Sequence, residues 1–237
     1  MTFPTPPLSN AGAPDAADHA GLVQQRQSTR AFTGQPLPPG LLEDLLQAAR
    51  RAPSGANLQP GHFYAVRGAR RQRLSQALVA AFHAGQAEPE DYSYFPQPMP
   101  LALRKRQVAA AQALYGALGV ARDDQAGRAA QFERNFQFFD APEALVVTID
   151  RRLGSGCYMD LGMAIYGLML AAQAQGLASC GIGALASYPS LIRRELDLPD
   201  GQAVVCGLAL GYADDSAAVN RTATAREPLS SYFTVLD

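Results

Sequence analysis

Residues 154–176 read GSGCYMDLGMAIYGLMLAAQAQG and form the longest apolar-leaning run of the chain. This run predicts a helix from Tyr158 to Gly176. Its apolar side chains are distributed all around the helical axis, which is typical of a helix buried at the centre of a domain or at a subunit interface. Because Asp160, Gln173 and Gln175 interrupt the run, we do not expect it to cross a membrane.

Strand patterns lie on both sides of this helix. The continuous apolar run Glu143–Ile149 predicts a buried strand before it, and Ala178–Leu185 and Val204–Leu210 predict two strands after it. His62–Val66 and Ser231–Leu236 are further predicted strands. Five other helices are predicted, at Ala20–Gln27, Leu41–Ala49, Ala69–Phe82, Leu101–Leu118 and Asp124–Phe139. Strands and helices are therefore mixed along the chain, and the expected fold class is α+β, with a central mixed sheet flanked by helices.

The length of 237 residues suits one domain with a full hydrophobic core. Residues 1–18 are rich in proline, alanine and small polar residues, which predicts a disordered tail. Residues 19–237 are then expected to form a single domain, with a helical insert at about 84–140 that covers a site. The amino terminus lacks the pattern of a signal peptide, so a cytoplasmic location is expected.

The formal net charge of −1 gives no reason to expect a nucleic-acid or membrane partner. Cys157, Cys180 and Cys206 are far apart in sequence, which favours buried thiols and predicts no metal site. The sequence also lacks the motifs of hydrolases, metalloproteases and P-loop enzymes. We therefore expect a cofactor that carries its own reactivity.

Four segments could bind such a cofactor. Arg26-Gln-Ser-Thr-Arg30 offers two guanidinium groups and a hydroxyl that suit a phosphate, although a solvated basic stretch is an alternative. Residues 52–60, APSGANLQP, offer neutral donors and acceptors, or only a helix-ending turn. The small residues of 180–189 fit either a flat ring or tight packing, and their G-x-G lacks the third glycine of a dinucleotide motif. Arg221 is either part of an anion site or a solvated side chain.

Together, in this order, these segments resemble the nitroreductase family of FMN enzymes, from about residue 20 to 237. The segment Gly207-Leu-Ala-Leu-Gly211-Tyr adds to the resemblance. Phe95-Pro, Phe138-Phe-Asp-Ala-Pro142 and Val219-Asn-Arg221 are most similar to the nitrobenzoate-reductase branch. The resemblance implies an intertwined homodimer in which the carboxyl-terminal segment of each chain extends onto the partner.

The resemblance also implies the roles of individual residues. The phosphate and ribityl end of FMN would be held by Arg26, Gln27, Ser28, Arg30 and Arg221. The isoalloxazine would be lined from the other subunit by Pro53, Ser54, Gly55 and Asn57. The segment beside the reactive flavin N5 would be Ala184, Leu185 and Ala186, where several relatives instead carry a Pro-x-Glu-Gly element. Apart from the resemblance, we expect the insert to provide aromatic walls for the substrate at Tyr115, Phe132 and Phe136, with packing in the core as the alternative and more common role for any one of them.

The implied activity is that of an FMN-dependent NAD(P)H oxidoreductase that reduces nitroaromatics or quinones. Hydride would pass from NAD(P)H to flavin N5, and the oxidised substrate would then take the same place, which predicts ping-pong kinetics. Two alternatives stay open on the sequence alone: a flavin-binding protein without turnover, and the same scaffold used for dehalogenation or enoate reduction.

Overall fold

A computed structural model describes the backbone of residues 16–236 and the side chains of residues 20–236. Within this range the strands are β1 (His62–Ala65), β2 (Glu143–Asp150), β3 (Ala178–Ile182) and β4 (Gln202–Gly211). They form a sheet in the order β1-β2-β4-β3. The α+β fold class is confirmed, and every pairing of these strands is antiparallel, where a mixed sheet was expected.

Helices cover both faces of this sheet. Their bounds are α1 (Ala16–Gln25), α2 (Leu41–Ala49), α3 (Gly68–His83), α4 (Leu101–Ala117), α5 (Gln125–Glu133), α6 (Ser155–Ala174) and α7 (Pro189–Leu196). Over the described residues, no helix is apolar over a length that would cross a membrane.

Buried apolar residues form two clusters, one on each face of the sheet, and strand β2 contributes side chains to both. Leu145, Val147 and Ile149 point to one face of the sheet and pack with residues of α2 and α6. Ala144 and Val146 point to the opposite face and pack with α3 and α7. Successive side chains of a strand point to opposite faces, so a strand covered on both sides has to be mainly apolar. Residues 144–149 of β2 are apolar apart from the buried Thr148, whose Oγ1 donates to Gln202 Oε1 at 2.6 Å.

Helix α6 lies on the first of these faces, and one side of the helix remains exposed to solvent. Leu161 and Leu168 are buried against the sheet, whereas Met159 is 66% exposed and Met163 and Tyr166 are also exposed. The spacing of the exposed residues places them on one side of the helix. The expected burial on all sides is therefore not complete within one chain.

Three predicted elements differ from the structure. The strand predicted at Ala178–Leu185 ends at Ile182, where a 3₁₀ turn begins. The predicted helix Asp124–Phe139 ends at Glu133, and a left-handed turn at residues 138–140 follows after a short connection. The segment Ser231–Leu236 is not a strand, and its side chains have no sheet to pack on within the described chain. The predicted tail lies largely outside the described residues, and α1 already begins at Ala16.

Gly207 of β4 allows the closest approach between the sheet and the turn that follows β3. A Cβ built on Gly207 would lie 2.7 Å from Leu185 Cδ2 and 3.2 Å from Phe138 Cε1. Leu185 and Phe138 are both fully buried. Neither side chain can move away without disturbing the core, so a side chain at this position would overpack it.

We expect Gly207→Ala to lower the free energy of unfolding by about 1–3 kcal/mol, because the added methyl group overpacks a fixed core. Urea denaturation followed by circular dichroism would measure the change. Gly201→Ala is the matched control, since beyond its chain neighbours no atom lies within 4 Å of the place that its methyl group would take. Equal midpoints for the two variants would contradict this role of the contact.

Candidate functional site

The arginine segment, residues 26–30, connects α1 to the sheet. Ser28 forms an isolated parallel bridge with Ser179 at the start of β3, and the Thr29 amide donates to the Ser179 carbonyl at 3.0 Å. Thr29 is buried, whereas Ser28 is exposed and Arg26 and Arg30 are half-buried. The extended backbone therefore directs Thr29 into the protein and leaves the flanking polar side chains accessible.

Asn220 fixes this segment to the carboxyl-terminal part of the chain. Its Oδ1 accepts hydrogen bonds from the amides of Arg30, at 2.8 Å, and Ala31, at 3.2 Å. Its Nδ2 donates to the carbonyls of Ala31, at 2.7 Å, and Asp214, at 2.9 Å. Arg221 follows directly in the chain, so these bonds bring the backbone of Arg221 next to the arginine segment.

The charge around this segment is positive. Among residues 20–236, no carboxylate forms an ion pair within 4.0 Å of Arg26, Arg30 or Arg221, although other arginines of the chain are paired. Burial raises the pKa of the Cys180 thiol, while the nearby Arg30 and Arg26 act in the opposite direction. Two guanidinium groups thus stand close to the start of β3, where they can bind an anion.

At the other end of β3 lies the platform segment, Gly183–Ser187, which forms a 3₁₀ turn. Leu185 and Ala186 are buried, and Ala184 is half-buried. Ser179 and Gly183 are separated by about 13 Å at the rise of a strand. The cationic arginine segment therefore lies at the start of β3, and the platform segment, made of small and apolar residues, lies at its end.

The loop at residues 52–60 lies at a different place, next to the amino-terminal end of α6. The amide of Gly55 donates to Asp160 Oδ2 at 3.0 Å, and the amide of Gln59 donates to Ser54 Oγ at 2.9 Å. Ala56, Asn57 and Gln59 have positive φ angles between 49° and 56°. Left-handed conformations of non-glycine residues cost energy, so these hydrogen bonds hold the loop in a preformed shape.

A cavity of about 290 Å³ borders this loop, with Pro53, Ser54 and Asp160 among its lining residues. Pro53, Gly55 and Asn57 are exposed, and Ser54 is half-buried. Asp160 is separated from the carboxyl-terminal end of α6 by fourteen residues, or about 21 Å at the helical rise. The arginine segment lies beyond that far end, so α6 separates the two groups of predicted residues within one chain.

The three predicted substrate aromatics lie on the insert. Phe132 and Phe136 are brought together, with ring centroids 5.8 Å apart, and both pack against Phe82. Phe136 is only 1% exposed, so in this conformation its ring belongs to the core. Tyr115 lies apart from this cluster and stacks under the Arg128 guanidinium at 4.0 Å.

Three polar residues that hold these segments in place were not predicted as functional from the sequence. Asn220 was seen only as the neighbour of Arg221, and Asp160 only as an interruption of an apolar helix. Asp91, in the irregular segment before α4, was not singled out at all, although its side chain is only 4% exposed. A charged residue inside an otherwise apolar run was the available signal for Asp160. No local sequence pattern marks Asp91 or Asn220, because the residues that they contact are distant in sequence.

We expect Asn220→Ala to cost about 2–4 kcal/mol of stability, because it leaves several buried backbone groups without partners. Asn220→Asp should cost less, since the carboxylate keeps the acceptor for the two amides and loses only the donors. Thermal and urea denaturation of the three proteins would measure this order. If both variants were as stable as the wild type, the described hydrogen bonds would not fix the segment.

The chain is similar to known proteins in both sequence and structure. The model of the nitroreductase family matches residues 23–212. The chain is 38% identical to a chloronitrobenzene nitroreductase of Comamonas testosteroni, over 90% of this chain and 94% of that protein. It is 36% identical to a 4-nitrobenzoate reductase of Pseudomonas putida, over 89% of this chain and 92% of that protein.

Among solved structures, the FMN and NADPH-dependent nitroreductase NfnB from Sphigopyxis sp. strain HMH superposes with a TM-score of 0.89 and 37% identity. The superposition covers 92% of this chain and 99% of that one. The family model spans most of the chain, and two nitroreductase sequences align with it almost from end to end. The chain therefore belongs to the nitroreductase family.

Proposed function

We propose that the chain is an FMN-dependent NAD(P)H oxidoreductase that reduces nitroaromatic compounds and quinones. The observation that carries the proposal is the position of two segments at the two ends of β3. The accessible arginine segment lies at its start, and the platform segment, made of small and apolar residues, follows its end. The relatives named for nitroaromatic reduction, and the structural neighbour named for FMN and NADPH, support it. We further infer that residues 19–237 act as one flavin-binding domain, with residues 84–140 as its insert.

The donor set of the arginine segment fits a flavin phosphate. Arg26 and Arg30 provide planar, permanently charged donors, and Ser28 and Gln27 add neutral ones that are exposed. The Asn220 hydrogen bonds fix the backbone from which Arg30 and Arg221 extend. Because the segment is fixed before a ligand arrives, little conformational entropy is lost on binding.

The platform segment fits the ring end of the same ligand. Ala184, Leu185 and Ala186 offer small or buried side chains, so a planar heterocycle can approach their backbone amides and carbonyls closely. FMN, when bound, supplies the hydride chemistry of the reaction. The residues of this chain then orient the ring, and their backbone donors can stabilise charge that develops on it. A single position above the ring for nicotinamide and acceptor gives the ping-pong order.

The loop at 52–60 is assigned to the site of a second subunit. The exposed side of α6 carries Met159, Met163 and Tyr166 and would be covered by another copy. If two copies pack there about a two-fold axis that crosses the helix, their α6 helices run antiparallel. The amino-terminal end of one helix then lies beside the carboxyl-terminal end of the other. Pro53, Ser54, Gly55 and Asn57 of one chain would thereby lie beside β3 of its partner, along which the arginine segment and the platform segment are placed.

The carboxyl-terminal segment supports the same assembly. Tyr232 and Leu236 are each 90% exposed, and Leu229, Phe233 and Val235 are exposed as well. A run of exposed large apolar side chains is typical of an interaction surface. We propose that it packs on the partner chain.

We expect the purified protein to be yellow and to lose its colour with NAD(P)H under anaerobic conditions. Arg30→Ala should weaken FMN binding about tenfold or more, because it removes a charge-assisted contact with the phosphate. Titration of the apoprotein with FMN, followed by flavin fluorescence, would give the dissociation constant. Arg152→Ala is the matched control, because Arg152 is an exposed arginine paired with Asp150 away from this segment. Equal FMN affinities for the two variants would refute the role of Arg30.

A subunit-mixing experiment tests whether the site is shared between chains. Arg30→Ala and Asn57→Gly are each expected to lower activity, and glycine keeps the positive φ of 56° that residue 57 requires. One chain carries Arg30→Ala and the other carries Asn57→Gly, and the two are co-expressed with different affinity tags. If the site is shared, the heterodimer should have one intact site and one doubly altered site. We expect such heterodimers to recover about half of the wild-type activity per dimer.

Recovery requires that Arg30 and Asn57 of one site come from different chains. If both came from one chain, each site of the heterodimer would carry one altered residue and no recovery would occur. Heterodimers as inactive as the parent homodimers would therefore exclude the shared site while leaving FMN binding itself in place.

A further inference from the structure

Residues 88–95, the aromatic arm, occupy a part of the sheet edge that no strand covers in the described chain. Strand β3 pairs with β4 only from Gly207 onward, which leaves residues 202–206 of β4 without a neighbour on that side. The amide of Val204 donates to Asp91 Oδ2 at 2.8 Å, and Tyr92 Oη donates to the Val205 carbonyl at 2.7 Å. The β2–β4 register skips Val205, so its carbonyl is available to the arm.

Asp91 is the main anchor of the arm. Its carboxylate pairs with Arg193 of α7 at 2.5 Å and with Arg151, just after β2, at 2.6 Å. With the Val204 amide, three separate parts of the chain therefore meet at one buried carboxylate. A buried charge is tolerated only with such partners, and removing it would leave both guanidinium groups without their shared acceptor.

Glu88 adds a second anchor. Its Oε2 accepts hydrogen bonds from the amides of Ser190, at 2.8 Å, and Leu191, at 3.3 Å, in the first turn of α7. The arm is thus held at Glu88, Asp91 and Tyr92. The residues that follow these anchors have a defined position even though they belong to no helix or strand.

That position lies against the platform segment. A Cβ built on Gly183 would be 3.1 Å from Tyr94 Cε2, so the Tyr94 ring lies directly on the backbone of the first platform residue. Tyr94 is nevertheless 51% exposed. Phe95 meets it edge to face, with ring centroids 4.7 Å apart. An aromatic pair with free surface therefore borders the segment to which the flavin ring is assigned.

We propose that Tyr94 and Phe95 form an aromatic wall that selects planar, electron-poor rings as acceptors, and that Asp91 is the positioning residue that holds this wall. The inference rests on the proposed function of the platform segment. A phenol ring is electron-rich on its face, so it stacks favourably with a nitro-substituted ring. In this proposal Tyr94 and Phe95 contact the acceptor and do not bind FMN.

The test compares two acceptors on the FMN-loaded enzyme: nitrobenzene, which is planar and can stack, and ferricyanide, which cannot. We expect Tyr94→Ala to raise the KM for nitrobenzene about tenfold, while the KM for ferricyanide and the FMN content stay unchanged. Tyr94→Phe should restore most of the affinity, because the ring and its stacking surface remain. An unchanged KM for nitrobenzene, or an equal loss with both acceptors, would overturn the wall.

Asp91→Asn tests the positioning role. We expect the same selective rise in KM for nitrobenzene, with kcat for ferricyanide unchanged, because the groups that contact Asp91, on Arg151, Arg193 and Val204, lie outside the proposed flavin-binding segments. Asp197→Asn is the matched control, since Asp197 forms an exposed ion pair with Arg70. If Asp91→Asn does not fold, Tyr92→Phe takes its place, because it removes only the hydroxyl that donates to the Val205 carbonyl. A wild-type KM for nitrobenzene in Tyr92→Phe, or in a folded Asp91→Asn, would overturn the positioning role.

These outcomes are separate from a failure of the proposed function. If the wild-type protein bound no FMN or did not reduce nitrobenzene, the proposed function would fail before any variant was compared. If the wild type is active and the variants show no selectivity between the two acceptors, only the aromatic wall and its anchor fail.

Discussion

The platform segment can lie on the sheet only because residue 207 has no side chain. Leu185 fills the space that a Cβ of Gly207 would occupy, and Phe138 closes it from the other side. This contact lies where the β3–β4 pairing ends and the chain turns toward α7. The proposed flavin ring position, the uncovered edge of β4 and the aromatic arm all lie next to it, because each begins where β3 ends.

Charges are used in two different ways around this contact. At the arginine segment, guanidinium groups are left without carboxylate partners among the described residues, so they can receive an anion. At Asp91 and Asp160, buried carboxylates instead collect donors from distant parts of the chain and hold irregular backbone in place. Burying a carboxylate is costly without partners, so such loops are defined in position although they have no periodic structure.

The elements with periodic sequence could be predicted. The strand β2 and the helix α6 were both predicted from residue patterns, since a continuous apolar run is what burial of an element in the core demands. The end of β3 was predicted three residues too late, because Gly183-Ala-Leu185 continues a strand pattern and only the distant Gly207 shows why the chain leaves the sheet. The sequence left Phe136 with two possible roles, in the core or in a pocket wall, since an aromatic residue has the same local pattern in both; the structure places it in the core.

Residue patterns alone were enough to establish the order of the elements, the two-sided burial of the sheet, the resemblance to the family and the residue types that suit a flavin phosphate. These depend on local periodicity and on short motifs, which adjacent residues carry. The folded chain was needed to show that Asn220 fixes the arginine segment, that Asp160 holds the loop at the opposite end of α6, and that Tyr94, three residues after the buried Asp91, lies on Gly183. Each of these contacts joins residues far apart in the chain, and a contact of that kind exists only once the path of the backbone is fixed.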